Sequence, residues 1–269
     1  MLGAIIGDIV GSIYEFDNIK TKDFEFFQPE MERTDDSILC IATADWLLHG
    51  GEVSHYYSRY ALEYPYPMGG YGGMFKAWSS KVARQGIHEP YNSCGNGSAM
   101  RIAPVGWAFE TEREVLAAAE VSASCTHNHP EGIKGAQATA LCIFLARQGH
   151  TASDIRARIE RDFGYDLSMS VEELQRRYSW QGIDRKGDGG ICQDSVPQAI
   201  ICVLQAKDFE DAIRNAISIG GDSDTIGCIA GGIAEALYGI PEPIKEQAWT
   251  YLDETECCTV RSFIQKYSI

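Results

Sequence analysis

Two stretches far apart in the chain gather hydroxyls and carboxylates: Thr34-Asp35-Asp36-Ser37, and Gly220-Gly221-Asp222-Ser223-Asp224-Thr225-Ile226-Gly227. Each leads straight into an apolar run, Ile38 to Leu48 and Ile226 to Leu237, and no Lys or Arg occurs between Ala216 and Ala236. Taken singly, either stretch reads as a helix start, where Asp or Thr accepts from free backbone N–H groups and the helix dipole favours an acid. Together they hold four Asp carboxylates and two Thr hydroxyls. Two carboxylates ~4 Å apart repel by roughly 4 kcal/mol at an effective dielectric near 20. If the two helix starts meet, these acids must be protonated or bridged, and hard divalent cations such as Mg²⁺ or Mn²⁺ take oxygen ligands of this kind. Two such ions would balance the four negative charges. The doubled acids and the missing basic partners favour metal over simple capping.

Three other groups of residues carry chemistry. Asp8, Ser12 and Glu15 follow an i, i+4, i+7 spacing on an otherwise apolar opening segment, so they share one helix face. Such a stripe needs partners or lines a cavity; we expect a cavity wall with Glu15 at its mouth. Asn92 to Arg101, NSCGNGSAMR, offers donors without acids. N–H groups freed at Gly95 and Gly97, with Asn96 and Ser98, could cradle an anion, although a structural turn is an equally good reading. His127 and His129 sit in a break before a helix. No third soft ligand is near them in sequence, so zinc is discounted in favour of a polar loop facing a ligand, or a plain helix entry.

The elements that must position these groups are helical. Gly3, Gly7 and Gly11 recur every four residues in the opening helix, Leu2 to about Tyr14, and make a smooth strip for a second helix to approach. That contact would offset a propensity cost of ~1 kcal/mol per glycine. Further helices are expected at Thr34–His49, Val53–Tyr64, Thr111–Ser124 behind a capping box, Glu131–Gln148, Ser153–Phe163 and Ser170–Tyr178. Others run from Val196 to Ala206 with Pro197 in the first turn, from Asp208 towards Gly220, and from Pro243 with Ile244, Ala248, Tyr251 and Leu252 inward. Residues 17–33 and Gly182 to Asp194 read as loops, and Met68 to Gly73 as a flap around a substrate or a plain connector. With no strand alternation, short repeat or low-complexity segment, the expected fold is all-α, one domain over residues 1–269.

A hydrophobic fraction of 45% and a charged fraction of 23% are those of a globular protein. The formal charge of -15 argues against a nucleic-acid backbone or an anionic membrane as general partner, while leaving room for a local phosphate pocket. Nine cysteines include no CxxC pair. Cys40, Cys142, Cys202 and Cys228 lie in apolar runs as ordinary buried thiols, and Cys257-Cys258 reads as an idle pair. That usage, with no signal peptide and no uncharged run near 18 residues, leads us to expect a cytoplasmic protein without a membrane span.

In this order, Gly3-Ala4-Ile5-Ile6-Gly7-Asp8 through Glu15, Thr34 to Ser37, Gly95-Asn96-Gly97-Ser98-Ala99-Met100-Arg101, Thr126-His127 and Gly221 to Gly227 resemble the ADP-ribosylglycohydrolase family, which includes dinitrogenase-reductase-activating glycohydrolase. The likeness covers most of the chain. It implies an all-α fold with two Mg²⁺ or Mn²⁺ ions held by Thr34, Asp35, Asp36, Asp222, Asp224 and Thr225. It further implies that Glu15 matches a glutamate reaching the metals in some members, that Gly95, Asn96, Gly97 and Ser98 hold the phosphates and distal ribose, and that His127 lies near the bound ADP-ribose. The implied reaction is hydrolysis at C1″ of the distal ribose; for the carboxylate that takes the proton of the attacking water, our own reading selects Asp36 or Glu15. The implied partners are ADP-ribose or an ADP-ribosylated protein or small molecule. A nucleic-acid acceptor is compatible, no membrane is involved, and a monomer is the expected state. Two departures stand out: the chain is short for the family, and Ser223 occupies a position where many relatives carry another small hydroxyl residue. The Gly11 to Glu15 segment is similar to that of members acting on O-linked ADP-ribose.

The main alternative is a catalytically silent ADP-ribose-binding module of the same fold, against which the full ligand set speaks. Helical isoprenoid synthases need DDxxD, and Leu39 stands at the last position here. HD-type phosphohydrolases need a His-Asp dipeptide, which none of the six histidines supplies. Nothing in the sequence requires a lens-type structural protein of this fold.

Overall fold

The computed structural model describes residues 1–269 and holds helices and loops, with two isolated bridges, Thr34–Met68 and Gly95–Ile191, in place of any sheet. In chain order the helices are α1 (Leu2–Gly11), α2 (Asp35–His49), α3 (Val53–Glu63), α4 (Gly73–Gln85) and α5 (Gly97–Met100). They continue with α6 (Ala103–Ala108), α7 (Glu112–Ser124), α8 (Pro130–Arg147), α9 (Ala152–Phe163) and α10 (Val171–Arg177). The last five are α11 (Cys192–Leu204), α12 (Phe209–Ser218), α13 (Ser223–Tyr238), α14 (Glu242–Ala248) and α15 (Glu254–Tyr267).

The centre of the molecule is the contact between α1 and α13. Every residue of α1 is buried, as is α13 from Ser223 to Glu235. A Cβ at Gly3, Gly7 or Gly11 would overlap the carbonyl oxygen of Gly231, Gly227 or Ser223 respectively. The relation is mutual, since a Cβ at Gly227 or Gly231 would overlap the Gly7 or Gly3 carbonyl. Two helices therefore touch backbone to backbone along three turns, which the four-residue glycine spacing predicts. Helices α8, α11 and α12 close around α13, and α2 lies against α1. One apolar cluster of 72 buried residues runs through these elements, and it contains Cys40, Cys142, Cys202 and Cys228.

Most expected helices are present, with ends shifted by a residue or two. Four-helix details differ. Helices α4, α5, α6 and α15 were not expected; α5 and α6 are short, whereas α4 and α15 run 13 and 14 residues. α11 starts at Cys192, so Pro197 lies inside the helix and not in its first turn. The start is set by a long-range bond, Cys192 N to the Cys94 carbonyl at 2.9 Å, which leaves no local trace. The expected final helix from Pro243 stops at Ala248, passes through one 3₁₀ turn and becomes extended at Leu252. There the Asp253/Glu256 capping box begins α15, and this local preference outweighs continuation.

Because the α1–α13 contact has no side chain that can yield, Gly7→Ala should destabilise the fold by about 3 kcal/mol or more, as overpacking does at its severe end. Gly73→Ala, where a Cβ meets nothing within 4 Å, should be neutral or slightly stabilising. Urea unfolding of both variants beside the wild type checks the contrast.

Candidate functional site

Both acidic helix starts are held by side chains from elsewhere. Thr34 caps α2, its Oγ1 accepting from Asp36 N at 3.2 Å. Asp8, on α1, accepts four hydrogen bonds: from Thr34 N at 3.0 Å, Thr34 Oγ1 at 2.7 Å, Ser37 N at 3.0 Å and Ser37 Oγ. Its carboxylate thus seals the first turn of α2 from a neighbouring helix. At α13 the turn is made by Gly220 and Gly221, both with positive φ (66° and 80°), as the Gly-Gly pair suggests. Asn18 clamps that turn, donating to the Gly221 carbonyl at 2.9 Å and accepting from Gly221 N at 2.8 Å. The same amide donates to the Glu15 carbonyl at 3.1 Å, so one side chain ties Glu15 to the start of α13.

The two helix starts converge. Carboxylate oxygens of Asp8, Asp36 and Asp224 lie within 4.8 Å of one another, and so do those of Glu15, Asp222 and Asp224. Asp224 belongs to both groups. Asp36 and Asp224 are 2% and 4% exposed, and their Oδ1 atoms have no hydrogen-bond partner. The other Asp36 oxygen accepts from Thr225 Oγ1 at 3.3 Å, and Asp222 accepts from Asn96 Nδ2 at 2.7 Å. No Lys or Arg forms an ion pair with any of these acids or with Asp35. Burial first, then mutual repulsion, pushes Asp35, Asp36 and Asp224 well above the usual carboxylate range. Burial also raises Asp222, takes Asp8 to about 6 and, aided by Asp222 and Asp8, takes Glu15 to about 7. Orphaned, desolvated oxygens in two groups that share one member fit hard divalent cations, whose charge would reverse these shifts.

These residues wall a cavity of about 610 Å³, ample for a nucleotide-sized ligand. Glu15, Asp35, Asp36, Asp222, Asp224 and Thr225 line it together with Gly95, Asn96, Gly97 and His127. The glycine-rich segment Gly69–Gly73 forms another part of the wall, continued by Met74 and Phe75 of α4, which sequence reasoning did not supply. Gly69 lies against the Glu15 carboxylate. Two residues of the expected site do not reach the cavity. The Thr34 hydroxyl is spent between Asp8 and Asp36 N, and Ser98 Oγ donates to the Gly132 carbonyl at 2.7 Å. Within the Asn92–Arg101 loop, Gly95 N donates to Ser93 Oγ and Asn96 N to the Gly190 carbonyl, both at 3.0 Å, so of the lining residues Gly95–Gly97 only Gly97 keeps its N–H free. Arg101 also lines the cavity although it is fully buried, with its guanidinium 4.0 Å from the Tyr57 ring centroid and no acidic partner. Asp8 and Arg101 stand in the sequence motifs, but nothing local reveals their roles. Asn18 has no such signal at all.

Residues 1–266 match the family model described as ADP-ribosylglycohydrolase. The chain belongs to that family. It is an enzyme of the ADP-ribosylglycohydrolase class, as the names of its relatives also indicate. ADP-ribosylhydrolase ARH3 of Homo sapiens is 29% identical, over 95% of this chain and 89% of its own length. ADP-ribosylarginine hydrolase Tri1 of Pseudomonas putida is 27% identical, over 93% of this chain and 73% of its own length. In fold, the chain is similar to a solved structure titled ADP-ribosylglycohydrolase-related protein complex, with a TM-score of 0.67 and 23% identity, covering 100% of this chain and 97% of that one. The helical fold expected from the sequence is thereby shown. No helix is long and apolar enough to cross a membrane.

A carboxyl whose pKa is raised on folding stabilises the native state at low pH, and that contribution is lost as pH climbs from its unfolded to its folded value. With Asp8 near 6 and Glu15 near 7, the melting temperature in EDTA should fall between about pH 4.5 and 7.5. Added Mg²⁺ or Mn²⁺ should raise it more at pH 7.5 than at pH 5, which differential scanning fluorimetry can measure.

Proposed function

We propose that this chain hydrolyses the bond between C1″ of the distal ribose and an acceptor, releasing ADP-ribose, with two Mg²⁺ or Mn²⁺ ions at the carboxylate cluster. The observation that carries this reading is the convergence of Asp36 and Asp224, each with an unpartnered buried oxygen, on the wall of a cavity shared with Gly95–Gly97 and His127. Asp36, Asp222 and Asp224 would hold the ions, with Asp35, Thr225 and Glu15 on the same wall; Thr34 would act through the cap of α2. When bound, such ions supply Lewis acidity, lowering the pKa of water and gripping adjacent sugar hydroxyls.

The remaining chemistry belongs to the protein. Cleavage at C1″ passes through an oxocarbenium-like transition state, in which positive charge develops on the sugar. A wall of carboxylates stabilises that charge more than it stabilises the neutral ground state. Asp36 would accept the proton of attacking water, with Glu15 beside Gly69 as the second candidate base. Asn96 fixes Asp222 while its loop receives the diphosphate, so sugar and phosphates are oriented by one segment. The charged wall carries no basic group among its acids, in keeping with a cationic occupant.

A panel of mono-ADP-ribosylated arginine, serine and nucleic acid, each with and without EDTA, tests the reading and assigns the acceptor. The wild type should release ADP-ribose from at least one substrate, and EDTA should abolish release. Asp36→Ala should lower kcat by about 10²- to 10⁴-fold, the usual contribution of a positioned base, with an unchanged circular-dichroism spectrum. Tight ADP-ribose binding without release from any substrate would identify the silent module instead, and release indifferent to chelation would remove the ions from the mechanism.

A further inference from the structure

The buried Arg101 and the loop before α8 form a chain of hydrogen bonds that ends at the cavity. Arg101 Nη2 donates to Thr126 Oγ1 at 2.8 Å and to the Ser122 carbonyl at 2.8 Å. A guanidinium has no acceptor, so the direction of the first bond is fixed. The Thr126 hydroxyl proton then has two acceptors within 3.5 Å, His127 Nδ1 at 2.7 Å and the Ala123 carbonyl at 3.5 Å, with the Tyr91 hydroxyl and the Cys125 sulfur as more marginal neighbours. The first is a full hydrogen bond and the second lies at the limit of one. If Nδ1 kept its own proton, Thr126 Oγ1 would accept twice and its hydroxyl would be left with the poor partner. The other ring nitrogen, Nε2, has no hydrogen bond within the protein and faces the anion loop, 3.2 Å from where a Cβ would stand on Gly97 and 3.5 Å from one on Gly95. The ring is 5% exposed, and burial with the Arg101 charge holds its pKa well below the usual histidine value.

We propose that Thr126, oriented by Arg101, is a positioning residue that fixes His127 as the tautomer carrying its proton on Nε2, so that the ring donates into the cavity towards an anionic oxygen. This rests on the proposed reading for the identity of the anion, a substrate phosphate, but not for the tautomer. An imidazole whose proton lay on Nδ1 would present a lone pair to that oxygen and repel it. Arg101 supplies directionality and charge from a distance, while a neutral donor makes the contact.

Histidine-labelled protein, with the His127 signals assigned by their loss in His127→Asn, reports the tautomer through the imidazole ¹⁵N and ¹³Cδ2 shifts. The wild type should show the Nε2–H tautomer in the absence of any substrate; an Nδ1–H ring, or an imidazolium at neutral pH, would overturn the proposal. Thr126→Val, which removes the hydroxyl, should mix the tautomers and weaken ADP-ribose binding about tenfold, the equivalent of ~1.4 kcal/mol, with kcat changed less than KM on any substrate that is turned over. Thr126→Ser should restore both the tautomer and the affinity. Equal impairment of the Ser and Val variants would show that the methyl group, and so packing alone, matters. The tautomer is read without substrate, so a failure to find hydrolysis would count against the proposed function and leave this measurement to decide the relay.

Discussion

Two backbones in contact set the dimensions of this protein. Because α1 and α13 meet through glycine, Asp8 on one is brought beside Asp224 on the other, closer than side-chain-mediated packing would allow. The contact also explains the burial of both helices along their length, since an element lying that deep must be covered on every side. Helices α8, α11 and α12 perform that covering, and the acids sit at the one end where the packing opens into a cavity.

Charge is handled in two ways around that end. Asp8 is satisfied by four donors of α2 and serves as part of the frame. Asp36 and Asp224 each keep one buried oxygen without a partner, the feature that fits a cation. The acids of the site are thus divided between one saturated by donors and two that keep an oxygen free. Hydroxyl groups follow the same division: Thr34 and Ser98 build, while Thr225 reaches Asp36 on the cavity wall.

Several features with a local cause were legible in the sequence, though the capping box that opens α15 was not read from it. The capping boxes at Thr111 and Ser170, the glycine strip of α1 and the Gly220-Gly221 turn follow from residue types at fixed spacing, and each is present. The two acidic helix starts were visible individually, while their convergence was the condition on which the charge argument rested, and the structure supplies it. Features made by distant partners were not legible. The start of α11 depends on Cys94, the Gly221 turn is clamped by Asn18 from a loop without periodicity, and Asp8 serves a helix 26 residues away. Spacing also cannot tell which way a hydroxyl turns, and so Ser98 was grouped with the cavity residues although it faces Gly132.

The bond from Asn96 to Asp222 joins the Gly95–Gly97 loop to the acid cluster, the two parts of the site that the proposed function assigns to opposite ends of a ligand. Any molecule that orders the loop also restrains Asp222, and any ion that draws Asp222 inward steadies the loop. By thermodynamic reciprocity, whatever factor one ligand imposes on the other's affinity is returned unchanged. On the proposed function, this one amide side chain would couple the inorganic and the organic ligand through a single hydrogen bond.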